Sequence, residues 1–117
     1  GLPSYPPSVN HDWLFYVADM TSLPALSVLL RSLPADAKGY AVIKTLHDAD
    51  QQHLQAPSGV KIIWVSADHD LAESVKQQVW LAGKASVWCA CEFDTMRALR
   101  HYFRDERAIE KEDIYPG

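Results

Sequence analysis

Trp13-Leu14-Phe15-Tyr16-Val17-Ala18, an uncharged run of aromatic and branched side chains, passes through Asp19-Met20-Thr21-Ser22 into Leu23-Pro24. This stretch decides the fold. Apolar residues at odd and even positions alike suit a strand buried on both faces, as in a parallel sheet. Beyond it Leu26, Leu29, Leu30 and Leu33 recur at helical spacing, and Pro24 fits a first turn, where a missing amide donor costs nothing. Strand, short turn and helix together open a parallel α/β unit.

Working outward, the unit repeats. Tyr40 to Leu46 reads as a second strand, Asp48 to Leu54 as a polar helical turn and Lys61 to Ser66 as a third strand, set off by Pro57-Ser58-Gly59. Asp70 with Glu73 forms a capping box that opens a helix with Leu71, Val75, Val79 and Ala82 on one face, and Gly83 is its stop. Ser86 to Cys91 is a fourth strand, and Phe93, Met96, Leu99 and Phe103 mark the buried face of the helix after it, ending near Arg104. The expected fold is a Rossmann-like α/β domain over residues 13–117, a parallel sheet of about four or five strands with helices on both faces. Residues 1–12, rich in proline and serine at their start, read as a linker or arm. In such sheets ligands bind past the carboxyl ends of the strands, so Ala18 to Pro24 and Cys89 to Thr95 are the segments that matter.

Bulk properties narrow the partner. The 117 residues carry a net charge of -4, so no basic field points to nucleic acid or an acidic membrane. No apolar run approaches the roughly 20 residues of a membrane span, and no signal peptide opens the chain, which is read as cytoplasmic. His11, His47, His53, His69 and His101 lack metal-site spacing and are expected at the surface, so no metal is expected. Phosphate-loop, Ser-His-Asp and Cys-His arrangements are likewise absent from the sequence, which sets kinase and hydrolase chemistry aside. Trp64 and Trp88 lie inside strand patterns and are expected to pack between sheet and helix. Arg97, Arg100, Arg104 and Arg107, interleaved with acids, read as the solvated face of the last helix.

The turn Asp19-Met20-Thr21-Ser22-Leu23-Pro24-Ala25 resembles one that siderophore-interacting proteins write Gly-Asp-Glu-Thr-Ala-Leu-Pro-Ala. Trp88-Cys89-Ala90-Cys91-Glu92, followed by Met96-Arg97-Ala98-Leu99-Arg100, is similar to that family's Trp-x-Ala-Gly-Glu segment and Arg-x-x-Arg helix; Arg104-Asp105-Glu106-Arg107 continues the match. Leu33-Pro34-Ala35-Asp36-Ala37 and the Val60 to Trp64 strand fall between them in order, so the likeness runs from Trp13 to Tyr115. The resemblance implies an NAD(P)H-binding domain of the ferredoxin-reductase type, which places NADPH or NADH for hydride transfer to FAD. It further implies that a preceding β-barrel holds the FAD and that ferric siderophore is the substrate, in iron acquisition. No barrel-like sequence stands before Trp13, so the flavin domain is expected from outside these residues, and the chain alone is expected to be inactive.

By this resemblance Asp19, Thr21, Ser22 and Leu23 would meet the nucleotide pyrophosphate, while Cys91 and Glu92 would stand at its nicotinamide end; no catalytic side chain is assigned. A turn leading to a helix N-terminus suits the first task, because amide donors and the helix dipole favour an anion there. Each residue also has a plainer role: Thr21 or Ser22 as a helix cap, Cys91 as core packing rather than a reactive thiol, Glu92 as a carboxylate on the positive helix end. The chain departs from the family at Ala18 and Cys91, where the family has glycine, and at Met20, where it has an acid. Added bulk at Ala18 and Cys91 is expected to hold a nucleotide off its donors and to weaken binding. Lys44 is the nearest basic candidate for a 2'-phosphate, and the final Ile114-Tyr115-Pro116-Gly117 lacks the family's Gly-Tyr-Trp-Arg-like ending, so no C-terminal strand is expected. The competing reading is a degenerate, non-catalytic Rossmann-like interaction module.

Overall fold

The computed structural model describes residues 11–116, so the arm expected over residues 1–12 lies outside the described residues except at His11 and Asp12. Five strands, β1 (Trp13–Ala18), β2 (Lys38–Lys44), β3 (Gly59–Val65), β4 (Ala85–Ala90) and β5 (Ile114–Pro116), form one sheet in the order β3-β2-β1-β4-β5. Every neighbouring pair is parallel. Helix α1 (Leu23–Arg31) covers one face; α2 (Leu71–Lys76) and α3 (Phe93–His101), the latter running into a π-turn at Tyr102–Glu106, cover the other.

The strand pleat explains why the opening run has no polar parity. Phe15, Val17, Val42, Val87 and Cys89 join Leu71, Val75, Leu99 and Phe103 in one buried cluster. On the other face Leu14, Ala18, Ala41, Ile43 and Trp88 join Leu23, Leu26 and Leu30 of α1. Each large side chain among them contributes roughly 1.5–3 kcal/mol relative to exposure, and β1 and β4 accordingly carry no charged residue. Trp88 is buried as expected, and Trp64 is half-buried on the α1 face.

Several boundaries differ from the sequence reading, each for a local reason. β2 stops at Lys44 rather than Leu46, because the N–H and hydroxyl of Thr45 both donate to the Val65 carbonyl and the Leu46 N–H turns to the Asp50 carboxylate. The polar turn shrinks to a 3-10 turn at Asp48–Asp50, and Leu46 stands exposed. Helix α2 ends at Lys76, leaving Val79 and Ala82 exposed instead of on a buried face. The competing pull is Trp80, whose ring packs 4.7 Å from Trp13 and 6.0 Å from Phe15, while Tyr40 donates to the Val79 carbonyl at 2.6 Å. Burying an indole outweighs burying a valine. Gly83 then turns the chain at φ +96, hard against Asp12, whose carboxylate accepts from the Lys84 N–H at 2.7 Å.

Phe93 opens α3 and is exposed rather than on the buried face, with the Arg97 guanidinium 5.8 Å over its ring. Arg107 leaves the solvated stripe: its guanidinium lies 4.7 Å over Trp80 and donates to the Tyr102 hydroxyl at 2.9 Å. His11 is not a surface residue either. Its side chain is 5% exposed, with Nε2 2.8 Å from the Asp113 carboxylate, which Lys84 also approaches at 3.5 Å. Finally, Ile114–Pro116 does form a strand, paired from Val87↔Ile114 to Cys89↔Pro116 on the sheet edge, where a proline is tolerated.

Candidate functional site

β1 is flanked by β2 on one side and β4 on the other, so the winding reverses between β1 and β4. A cleft of about 200 Å³ opens there, past the carboxyl ends of the strands. Asp19 enters it from β1, Lys44 from β2, Asp70 and Leu71 from the start of α2, and Cys91, Glu92 and Thr95 from the connection between β4 and α3. Asp19, Cys91 and Glu92 are thus brought together. Thr21, Ser22 and Leu23 stand apart at the start of α1; Leu23 is buried in the α1 core, leaving its backbone N–H as the part a ligand can reach.

The three helix starts around this end differ. Asp70 accepts from the Glu73 N–H at 3.0 Å and so caps α2. Glu92 caps α3 more fully, accepting from the N–H groups of Thr95 at 2.7 Å and Asp94 at 3.2 Å and from the Thr95 hydroxyl. The Thr95 hydroxyl first, then the two amides, hold the Glu92 carboxyl below the ordinary glutamate range. At α1 the N-cap residue is Ser22, yet its side chain makes no capping bond; only the Ser22 N–H is engaged, by Asp19 at 3.2 Å. No side chain caps the first turn of α1, where Pro24 has no N–H and the Leu23 and Ala25 amides are left without a side-chain acceptor.

Ala18 is fully buried and belongs to the cluster of Leu23, Leu26 and Leu30. Its methyl group therefore points under α1 and adds no bulk to the cleft, contrary to the expectation from its glycine counterpart. Cys91 does add bulk, since it lines the cleft half-buried, its sulfur 3.8 Å from that of Cys89. Lys44 lines the cleft with its ammonium donating to the Ala67 and His69 carbonyls. Lys44 had a sequence signal as the nearest base. Asp70 had one only as a helix cap and Thr95 only as the end of the Cys89 to Thr95 segment, and it took the sheet order to bring Asp70 to the same cleft. Among the described residues no group of three or more His, Cys, Asp or Glu side chains is placed to hold a metal, and no helix is long and apolar enough to cross a membrane.

A doubly wound parallel sheet with a cleft at its switch point and an uncapped helix start beside it defines the Rossmann-like class of α/β domains. Within that class, residues 11–116 match the family described as siderophore-interacting protein, and the chain belongs to that family. It is 32% identical to an uncharacterized protein of Mycobacterium tuberculosis, over 92% of this chain and 43% of that protein. It is 28% identical to ferric vibriobactin reductase ViuB of Vibrio cholerae, over 89% of this chain and 41% of the reductase. The fold superposes on a siderophore utilization protein from T. fusca with a TM-score of 0.83 at 26% identity, covering 97% of this chain and 45% of the other. The chain thus spans less than half the length of the curated relatives it matches.

Proposed function

We propose that this chain is the nicotinamide-nucleotide-binding domain of a flavin-dependent ferric-siderophore reductase, forming the C-terminal half of a longer arrangement in which a β-barrel holds FAD. The observation that carries this is the uncapped start of α1 beside the switch-point cleft. The other two helix starts carry their own carboxylate caps, Asp70 and Glu92, which oppose an anion there, whereas no side chain caps α1. The ViuB likeness supports ferric siderophore as the final electron acceptor.

On this reading the Leu23 N–H and the Ser22 and Thr21 hydroxyls hold the pyrophosphate of NADPH or NADH, with Asp19 fixing the turn through the Ser22 N–H. Cys91 and Glu92 form the wall at the nicotinamide end, and the cleft, smaller than the roughly 300–1,000 Å³ of a whole ligand site, takes that part of the nucleotide. The bound nucleotide supplies hydride chemistry, while the protein orients it and excludes water. Since Lys44 is engaged, no cleft cation is free to prefer the 2'-phosphate, and NADH and NADPH are expected to bind alike. One observation favours the degenerate, non-catalytic module instead: Asp19, Asp70 and Glu92 place three carboxylates around a cleft with one engaged lysine, a field that repels a dianionic ligand.

Fluorescence titration of the chain with NADPH and NADH decides between them. Weak saturable binding that is reduced in the Thr21→Ala, Ser22→Ala double variant supports the nucleotide reading. No binding by the chain, either alone or joined to a flavin barrel, would establish the module.

A further inference from the structure

Cys89 and Cys91 stand two residues apart at the carboxyl end of β4, where the pleat puts both side chains on the α2–α3 face, their sulfurs 3.8 Å apart. Cys89 is 4% exposed and fixed in the core, whereas Cys91 is half-buried and opens on the cleft. β4 ends at Ala90 and α3 begins at Phe93, so the backbone of Cys91 lies in the connection, outside the paired ladder. From this juxtaposition we infer that Cys91 is a modification site for hydrogen peroxide and Cys89 its resolving thiol, the two closing to a disulfide in the wall of the cleft.

A sealed pair would be inert, and a lone surface thiol would have no resolving partner within the chain. Here one sulfur meets solvent while the other waits behind it. The hydrogen bond that Cys89 donates favours the thiolate on Cys91 and lowers its pKa, against the opposing effects of partial burial and of the Asp19 and Glu92 carboxylates. The same bond, reinforced by burial, holds the proton on Cys89 far above the ordinary thiol range. The order of events follows. The Cys91 thiolate attacks one peroxide oxygen, the O–O bond breaks, and the departing hydroxide takes a proton to become water, leaving Cys91 as sulfenic acid. The Cys89 sulfur then attacks Cys91, the S–OH bond breaks, and the Cys89 proton leaves with the hydroxide as a second water. Two thiols are oxidised to one disulfide and one peroxide is reduced to two waters. Closing the bond moves the sulfurs from 3.8 Å to about 2.05 Å, a shift the connection at Cys91 can supply and the packed core at Cys89 cannot.

The test treats the reduced chain with one equivalent of hydrogen peroxide, alkylates remaining thiols and maps the peptides by mass, without any nucleotide. Expected is joint loss of both free thiols, a link between Cys89 and Cys91 within one chain, and full recovery with dithiothreitol. In Cys89→Ser, or in Cys89→Ala if serine is not accommodated, Cys91 should persist as a sulfenic acid trapped by dimedone. In Cys91→Ser, Cys89 should resist both peroxide and alkylation. Disulfide-linked dimers, Cys91 oxidised to sulfinic acid with Cys89 still free, or two thiols that survive peroxide would each overturn the inference on the unmodified chain, whatever the outcome of nucleotide titration.

Discussion

The turn after β1 and the turn after β4 lie side by side at the same end of the sheet, with Ala18 paired to Ala90, yet they are built in opposite ways. After β1 the backbone enters α1 with no side-chain cap, and the side chains of Ala18 and Leu23 are withdrawn into the core. After β4 the backbone enters α3 with its amides filled by Glu92, and its side chains, Cys91 and Glu92, face the cleft. One turn offers main chain and the other offers side chains. The two positions at which this chain departs from the family's glycines, Ala18 at the end of β1 and Cys91 just past β4, border these turns, and only Cys91 reaches the cleft.

Replacing each departure by glycine tests that division. Ala18→Gly should destabilise the domain by about 1.5–2 kcal/mol, from a lost buried methyl and a freer strand, and leave nucleotide affinity unchanged. Chemical denaturation alongside titration checks both halves; tighter binding in this variant would mean that the methyl does reach the ligand. Cys91→Gly should do the reverse, tightening binding about tenfold by restoring close approach, with a smaller loss of stability. Equal affinity before and after would dissolve the distinction between the two turns.

The caps give a smaller effect. Glu92→Ala should lower the melting temperature, because it strips the bonds to Asp94 and Thr95, while Ser22→Ala, which breaks no capping bond, should leave it unchanged. The Glu92 contribution has a pH signature. Its folded pKa is depressed, so its stabilisation is complete above the ordinary glutamate range and fades as pH falls through the lower folded value. The difference in melting temperature between parent and Glu92→Ala should therefore shrink on acidification, and a constant difference would assign the effect to packing.

The sequence made the parallel sheet legible because an uncharged run such as Trp13 to Ala18 has few other places to go. It located both turns of the site for the same reason, since strand ends and helix starts are local features. What it could not convey was competition between distant partners. Val79 has the right spacing for α2, but Trp80 beside it has an aromatic pocket made by Trp13, Phe15 and Phe103, residues far along the chain. His11 looks like any polar residue until Asp113 is brought beside it, 102 positions away. Lys44 likewise reads as an unengaged cation until the carbonyls of Ala67 and His69 accept hydrogen bonds from its ammonium. Side-chain direction at Ala18 depended on which face α1 covers, which no local pattern states.

The junction of His11 with Asp113, together with the Asp12 N–H on the Lys84 carbonyl at 2.7 Å, fastens the start of the described chain to the amino ends of β4 and β5. The cleft lies at the other end of those strands, about 20 Å away for six extended residues. Mechanically this is a clasp on a lever. A load arriving through the residues before His11 is therefore shared between β1, which the chain enters at Trp13, and the amino ends of β4 and β5, to which His11 and Asp12 are tied. The clasp thus holds the near end of the strand whose far end leads into Cys91 and Glu92.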